Sequence, residues 1–255
     1  MFMFAAAVAA GYALYTSRGI TLAYDAADAT LSHAETAAQQ KITLPHTTTP
    51  LYLADLAMLT DKGLWLYVAK GHPLPASYVP PTLQRLTLPF SSADSQPMLQ
   101  QRVADQLTEL FAEADREGHH LIISSAYRSI SDQQKMYDDF VAKKGESLAS
   151  QYVATPGSSE HHTGLAVDVN DDTSACRADS EKCSLSWTSA AWLADTAPTY
   201  GFIIRYPSGA QPITGIAYEP WHLRYVGVSL AKLLTTSELT YDEFIGQVAP
   251  GRVKQ

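Results

Sequence analysis

The sequence has few charged residues, only two cysteines and little basic charge. Charged side chains make up 17% of its 255 residues, against about 25% in an average soluble protein. The 18 Lys and Arg residues are outnumbered by 26 Asp and Glu residues, so the formal net charge is −8. Nucleic acids and anionic membranes are bound through basic surfaces, so this balance argues against both as partners. A hydrophobic content of 46% supports a buried core and excludes wholesale disorder.

The N-terminal segment is apolar, and no charged side chain precedes Arg18. Its length suits the core of a secretory signal peptide better than a membrane span, which needs about 20 apolar residues. The segment lacks a basic leader, so a true start farther upstream and an uncleaved membrane anchor remain as alternatives. A buried N-terminal helix is a third. We predict an exported protein that acts in the cell envelope.

The chain divides by composition into three parts. Residues 1–23 form the signal-like or anchor segment, residues 24–50 form an Ala/Thr-rich lead-in without a sustained apolar period, and residues 51–255 form one folded domain. In that domain helices and strands interleave without regular βαβ spacing, which predicts an α+β fold with a small, mostly antiparallel sheet flanked by helices. The predicted strands are 64–69, 121–129, 165–170, 201–207 and 219–227, and the predicted helices are 98–118 (ending at Gly118), 131–145 (capped by Ser131) and 189–201.

The two cysteines, Cys176 and Cys183, lie close together in a hydrophilic stretch. A pair at this spacing can close a small ring, and such a disulfide persists only in an oxidising compartment. Two free surface thiols are the alternative. A zinc site made from them is disfavoured because the spacing does not match Cys-x-x-Cys.

One segment with potential chemistry, SSEHHTGLAVDVN, contains His161 and Asp168. Seven residues through a turn and a strand can bring an imidazole and a carboxylate together. The alternation of the strand directs Asp168 away from the face that carries Leu165 and Val167. Because a buried carboxylate needs a counter-charge or a metal, Asp168 either binds a metal ion or pairs with an arginine such as Arg205.

A second segment, YEPWHLRYVG, places Glu219 three residues before His222. Zinc hydrolases need nitrogen or oxygen ligands, one open coordination position and a carboxylate base beside it. Histidines 161 and 222 with Asp168 could supply the ligands, and Glu219 the base. A Glu-x-x-His pair alone is common, but its combination with Ser-x-His-x-x-Gly-x-Ala-x-Asp is specific.

Four segments, SAYRS, SSEHHTGLAVDV, GFIIRYP and TGIAYEPWHLRYVG, together resemble the zinc-dependent D-alanyl-D-alanine carboxypeptidases of bacterial cell walls. This family includes the vancomycin-resistance D,D-carboxypeptidases and related L,D-carboxypeptidases. The likeness runs from about residue 64 to residue 227 with the motifs in the family's order. It implies a compact α+β metallopeptidase fold and one zinc ion per chain.

The resemblance also implies roles for individual residues. The zinc ligands would be His161, Asp168 and His222, and the catalytic base would be Glu219. Arg128 would engage the reacting carbonyl and the terminal carboxylate of the substrate. Gln133 and Ser159 would line the substrate cleft. Two residues depart from the family pattern, since Ala126 stands where Gly is usual and His162 where Gln is common. We interpret His162 as a neighbour of the site and not as a ligand.

The resemblance predicts a carboxypeptidase that removes the C-terminal D-Ala from peptidoglycan stem peptides. Two alternatives remain open on the sequence: an endopeptidase that cleaves cross-links, and a non-catalytic cell-wall binding module on the same fold. The intact Glu219 disfavours the binding module, because a binder has no need of a base. The sequence leaves open whether the bond cleaved is D,D or L,D, and which oligomeric state the protein adopts.

Overall fold

A computed structural model describes residues 62–91 and 96–248, together with four short strands nearer the N-terminus. The rest of the predicted apolar segment and of the lead-in lies outside the described residues. The chain divides into two compact units, one of Met1–Thr60 with Asp242–Gln255 and the other of Asp61–Tyr241. Every candidate site residue belongs to the second unit. None of the helices in these described parts is long and apolar enough to cross a membrane.

The first unit contains two short antiparallel strand pairs. Its strands are β1 (Tyr15–Ser17), β2 (Ile20–Leu22), β3 (Lys41–Ile42) and β4 (Leu51–Tyr52), with β1 paired to β2 and β3 to β4.

The second unit is an α+β structure built on a four-stranded antiparallel sheet, as the sequence predicted. The sheet order is β7-β8-β10-β9, and a separate antiparallel pair, β5-β6, lies earlier in the chain. Their bounds are β5 Leu83–Arg85, β6 Met98–Gln100, β7 Leu121–Ser125, β8 Ala166–Asp171, β9 Phe202–Tyr206 and β10 Glu219–Tyr225.

Eight α-helices occur in the part of the chain from residue 62 to residue 248 that the structure describes. They are α1 Gln101–Arg116, α2 Ile130–Lys144, α3 Glu146–Tyr152, α4 Ser174–Ala178, α5 Trp187–Thr196, α6 Gln211–Thr214, α7 Val228–Thr236 and α8 Tyr241–Val248. All of α8 except Tyr241 belongs to the first unit. Short 3₁₀ helices occupy Lys62–Trp65, Glu160–Thr163, Ser180–Lys182 and Ala197–Tyr200.

The core forms where one face of α1 packs against the sheet. The apolar residues that recur at helical spacing in α1 are all buried, and so are the apolar residues of β7 and β8; those of α1 are Val103, Leu107, Leu110, Phe111 and Ala114. Val167 and Val169 point into this core while Asp168 between them does not, which confirms the alternation predicted for β8. Alternation in β8 therefore directs Asp168 to the face that carries the site.

The predicted strand 64–69 is wrong. Its beginning lies in the 3₁₀ helix Lys62–Trp65, and only Ala69 makes an isolated bridge, to His72. The backbone carbonyls of Leu64 and Leu66 accept hydrogen bonds from the buried guanidinium of Arg224, at 3.0 and 2.7 Å. The guanidinium of Arg224 thus donates to the carbonyl oxygens to which a neighbouring strand would otherwise have donated.

Two predicted helix starts are also wrong. Residues 98–100 pair as β6 with β5, so α1 begins only at Gln101. The second helix starts after Ser129, whose hydroxyl accepts the N–H of Asp132 at 3.0 Å, and not after the predicted cap Ser131. Ser129 has the extended backbone that an N-cap requires, whereas Ser131 already lies within the first turn.

The predicted pair Cys176 and Cys183 forms a disulfide in the structure, with a Cα–Cα distance of 4.3 Å. It ties α4 to the short 3₁₀ helix that follows.

Candidate metal centre

Two of the candidate ligands are brought together by strand pairing. His222 on β10 lies directly opposite Asp168 on β8 in the antiparallel register. Side chains at such opposed positions have Cβ atoms about 5 Å apart. The Nδ1 atom of His222 lies 3.1 Å from Oδ1 of Asp168.

The third candidate, His161, comes from the 3₁₀ turn that precedes β8. Gly164 ends this turn with a φ of 66°, a left-handed conformation that favours glycine. A Cβ on Gly164 would also lie 2.7 Å from Cδ2 of Leu83, so a side chain there would force Leu83 to move. The Nδ1–H of His161 donates to the carbonyl oxygen of Ala126 at 2.7 Å, which leaves Nε2 facing Asp168 at 3.3 Å.

The three side chains form a cluster whose donor atoms all lie within 4.8 Å of one another. Nε2 of His161 lies 3.3 Å from Oδ2 of Asp168, and Nδ1 of His222 lies 3.1 Å from Oδ1 of the same carboxylate. Both distances are close to the separation of about 3.3 Å expected between ligand atoms of a tetrahedral zinc ion. Two imidazole nitrogens and a carboxylate also form a ligand set that leaves a fourth position open, as catalytic zinc sites do. The residues present therefore fit a zinc ion.

Glu219 reaches the same cluster because β10 is irregular. Residues three apart on a regular strand point to opposite faces. The pairing of β10 with β9 shifts register between Glu219 and Leu223, in the stretch that contains Pro220. Such a bulge changes the direction of side chains, and it places Oε2 of Glu219 3.7 Å from Nδ1 of His222.

A further buried carboxylate, Glu160, lies next to His222 on the interior side of the cluster. The sequence analysis did not single it out. Its side chain is fully buried, and its Oε1 accepts from Nε of Arg205 at 2.9 Å and from Nη1 of Arg224 at 2.7 Å. Its Oε2 lies 3.5 Å from Nε2 of His222. Arginines on apolar strands signal a buried carboxylate partner, and that signal in the sequence could have pointed to Glu160.

The sequence had left open a pairing of Asp168 with Arg205. In the structure the carboxylate of Asp168 lies between two imidazoles, and the guanidinium of Arg205 bonds to Glu160. Asp168 is therefore placed where a metal ligand is needed.

Burial and charge set the proton affinities of the metal-free site. Burial raises the pKa of Asp168, but the two imidazoles beside it outweigh burial and hold the pKa below its ordinary value. Burial lowers the pKa of His161. Burial also acts to lower the pKa of His222, but hydrogen bonds to Asp168 and Glu160 and their charges raise it to about 10. Burial raises the pKa of Glu219, a direction that suits a group which must accept a proton.

Arg128 is held beside the cluster by both neighbouring histidines. Its backbone N–H donates to the carbonyl of His161 at 3.2 Å, and its carbonyl accepts Nδ1–H of His162 at 2.7 Å. The other ring nitrogen of His162 accepts the N–H of Gly157 at 3.2 Å. Both nitrogens of His162 are thus engaged, as expected of a neighbour that is not a ligand. The Arg128 guanidinium reaches Sδ of Met136 at 3.2 Å.

The two predicted cleft residues are buried. Gln133 is 1% exposed and donates from its amide to the carbonyl of Ala154 at 2.7 Å. Ser159 is 6% exposed and precedes the 3₁₀ turn that carries His161. Their contact with substrate stays a prediction.

Comparison with known proteins identifies the class. The D-alanyl-D-alanine carboxypeptidase family, VanY, matches residues 96–228. That range covers the metal cluster, Arg128 and Glu219. The chain belongs to this family.

Three individual proteins are similar to the chain. The putative carboxypeptidase YodJ of Bacillus subtilis is 38% identical over 71% of the chain, and the match spans 66% of YodJ. The structure of the LD-carboxypeptidase LdcB is 37% identical and aligns with a TM-score of 0.62 over 71% of this chain and 84% of LdcB. The vancomycin-resistance D,D-pentapeptidase VanY, solved in complex with Zn(II), is 31% identical with a TM-score of 0.60 over 72% of this chain and 99% of that one.

Proposed function

We propose that this protein is an exported zinc carboxypeptidase that removes the C-terminal D-Ala from peptidoglycan stem peptides. The observation that carries the proposal is the convergence of His161, Asp168 and His222 with Glu219 beside them. Membership of the D-alanyl-D-alanine carboxypeptidase family supports the same substrate class. The disulfide between Cys176 and Cys183 supports an oxidising, extracytoplasmic location.

His161, through Nε2, and His222, through Nδ1, would hold the zinc ion together with the carboxylate of Asp168. A bound zinc ion lowers the pKa of a water molecule to about 7 and polarises a carbonyl group. The similarity to the VanY structure solved with Zn(II) supports zinc as the resident metal.

Glu219 would act as the general base. It lies close to the ligand atom of His222 without replacing it, and three protein ligands leave the fourth position for water. Glu219 takes a proton from the attacking water and passes it to the leaving amine. Burial raises the pKa of Glu219, which increases its affinity for the proton it carries between these steps.

Arg128 would bind the terminal carboxylate of the substrate and make the enzyme an exopeptidase. A guanidinium group offers a planar pair of donors that matches a carboxylate. The hydrogen bonds from the backbone of Arg128 to the 161–162 turn fix its position relative to the metal ligands. Gln133 and Ser159 would complete the substrate-binding side.

An L,D-carboxypeptidase is the second candidate. The 37% identity to LdcB, an LD-carboxypeptidase, favours it. The two activities differ in the residue that precedes the scissile bond, D-Ala in a pentapeptide stem and an L-configured centre in a tetrapeptide stem.

The test incubates the purified protein with stem pentapeptide and, separately, stem tetrapeptide, and identifies the products by mass spectrometry. We expect loss of one D-Ala from the pentapeptide, abolition by a chelator and recovery with added zinc. Cleavage of the tetrapeptide alone would establish the L,D activity. Cleavage of a cross-linked dimer without release of terminal D-Ala would identify an endopeptidase. Binding without any cleavage would leave only the wall-binding module.

A further inference from the structure

The two carboxylate oxygens of Glu160 have different neighbours. Both arginine contacts go to Oε1, from Arg205 at 2.9 Å and from Arg224 at 2.7 Å. The other oxygen, Oε2, faces Nε2 of His222 at 3.5 Å. In the part of the chain that the structure describes, neither Oε2 nor Nε2 has a hydrogen-bond partner elsewhere. Buried polar atoms without a partner are costly, and a proton on Nε2 shared with Oε2 would satisfy both atoms after a closer approach than the present 3.5 Å.

The orientation of the His222 ring decides which nitrogen is available to a metal. Nδ1 faces Asp168 at 3.1 Å, while Nε2 faces Glu160. An imidazole that binds a metal through Nδ1 must carry its proton on Nε2. A carboxylate at Nε2 favours that proton position, because a carboxylate can only accept a hydrogen bond there.

The two arginines keep Glu160 in the required state. Both guanidinium groups donate to Oε1, at 2.9 and 2.7 Å, and two positive charges this close favour the ionised carboxylate, which can only accept hydrogen bonds. They also fix the side chain, since both donate to one oxygen and leave the other directed at His222.

We propose that Glu160 is a positioning residue of the metal centre, which accepts the Nε2–H of His222 and thereby presents Nδ1 to the metal. The inference rests on the zinc site of the proposed function. Glu160 touches neither substrate nor metal in this role. A purely structural alternative is that Glu160 only neutralises Arg205 and Arg224, in which case His222 would bind metal equally well without it.

Glu160→Gln separates the two roles because the amide has one acceptor oxygen. The two arginine donors take that oxygen, so the –NH₂ group faces Nε2 of His222 and moves the ring proton to Nδ1. We expect the zinc affinity, measured by competition with a chelator, to fall about 10- to 100-fold, as for other partners of metal-bound histidines. Glu117→Gln is the matched control, because Glu117 accepts a hydrogen bond from Trp192 at 2.8 Å away from the cluster, and its zinc affinity should equal that of wild type.

The outcomes distinguish this inference from the proposed function. A Glu160→Gln protein with wild-type zinc affinity would overturn the positioning role and leave the zinc carboxypeptidase intact. A wild-type protein that binds no zinc would overturn the proposed function itself. Glu160→Asp retains the charge for the arginines but shortens the reach toward His222, so it should fold and still bind zinc more weakly than wild type.

A measurement on the wild-type protein covers the case in which the variants do not fold. In the Co²⁺-substituted protein, ring N–H protons of ligand imidazoles give strongly shifted NMR signals that vanish in D₂O. We expect one signal from Nδ1–H of His161 and one from Nε2–H of His222. A hydrogen bond to buried Glu160 should make the His222 proton exchange slowly with solvent, and a His222 signal that exchanges rapidly or is missing would show that Glu160 does not hold this proton and would overturn the inference.

Discussion

The metal side and the substrate side of the site are built differently. On the metal side, the side chains of His161, His222 and Asp168 are 4%, 8% and 18% exposed, and a backbone carbonyl or ion pairs hold them. On the substrate side, the Glu219 side chain is 28% exposed, and the guanidinium of Arg128 contacts the thioether of Met136. The difference indicates that changes on the metal side alter zinc content, whereas changes on the substrate side alter turnover with zinc retained.

The largest effect is expected from His222→Ala on the metal side. The variant loses one of three ligands and the partner of Glu160, so we expect zinc content measured by elemental analysis to fall to background and activity to disappear. His120→Ala is the control, because His120 is an exposed residue paired with Asp115 outside the site. Full zinc occupancy in His222→Ala would remove His222 from the ligand set.

The next largest effect concerns Arg128 and the terminal carboxylate of the substrate. Amidation of the peptide removes the anion that the guanidinium pairs with, at a cost of about 2–5 kcal/mol, or about 30- to 5,000-fold in kcat/KM. Zinc content is unaffected because the protein is unchanged. Equal cleavage of the free acid and the amide would contradict an exopeptidase and favour the endopeptidase alternative.

The pH dependence of zinc binding tests the charges around His222. Its pKa of about 10 means that the ring is protonated in the metal-free protein at pH 7, and zinc must displace the Nδ1 proton. The zinc affinity should therefore rise at least about tenfold per pH unit between pH 7 and pH 9 and fall as the pH is lowered. Calorimetry in buffers of different ionisation enthalpy measures the proton release. An affinity independent of pH over this range would contradict the protonated state of His222.

The smallest effect is expected from the disulfide, which lies outside both sides of the site. Its two cysteines lie seven positions apart in the sequence, and a loop of this length stabilises the folded state by about 2–3 kcal/mol. The double variant Cys176→Ser, Cys183→Ser should lose that free energy of unfolding in a denaturant titration and keep its zinc. Thiol labelling of unfolded, unreduced wild-type protein gives the complementary result. Two reactive thiols there would refute the bond and weaken the argument for export.

The sequence predicted the sheet strands well where local pattern and packing agree. The alternation in residues 165–170 placed Asp168 on the site face, and the helical spacing of α1 identified its buried residues. The predicted strand 64–69 failed because its carbonyls bond to Arg224, about 160 residues later in the sequence. Local periodicity carries no information about such a distant partner.

The predicted cluster forms because Asp168 and His222 fall at paired positions of β8 and β10, and because the 3₁₀ turn before β8 brings His161 to the same carboxylate. Glu160 was overlooked although it lies inside the same motif. Its importance depends on Arg205 and Arg224 meeting at one buried oxygen, which requires the register of β9 and β10. The bulge that turns Glu219 toward His222 is likewise a property of strand pairing and not of local sequence.

Glu219→Gln tests the central claim most directly, because Glu219 lies beside a ligand and is proposed not to be one. The variant retains size and hydrogen bonding but cannot accept a proton. We predict that kcat falls about 10²- to 10⁴-fold, while elemental analysis still finds one zinc ion per chain and the peptide substrate still binds. Loss of zinc would make Glu219 a ligand, and near-normal turnover would mean that another group activates the water; either result would contradict the account.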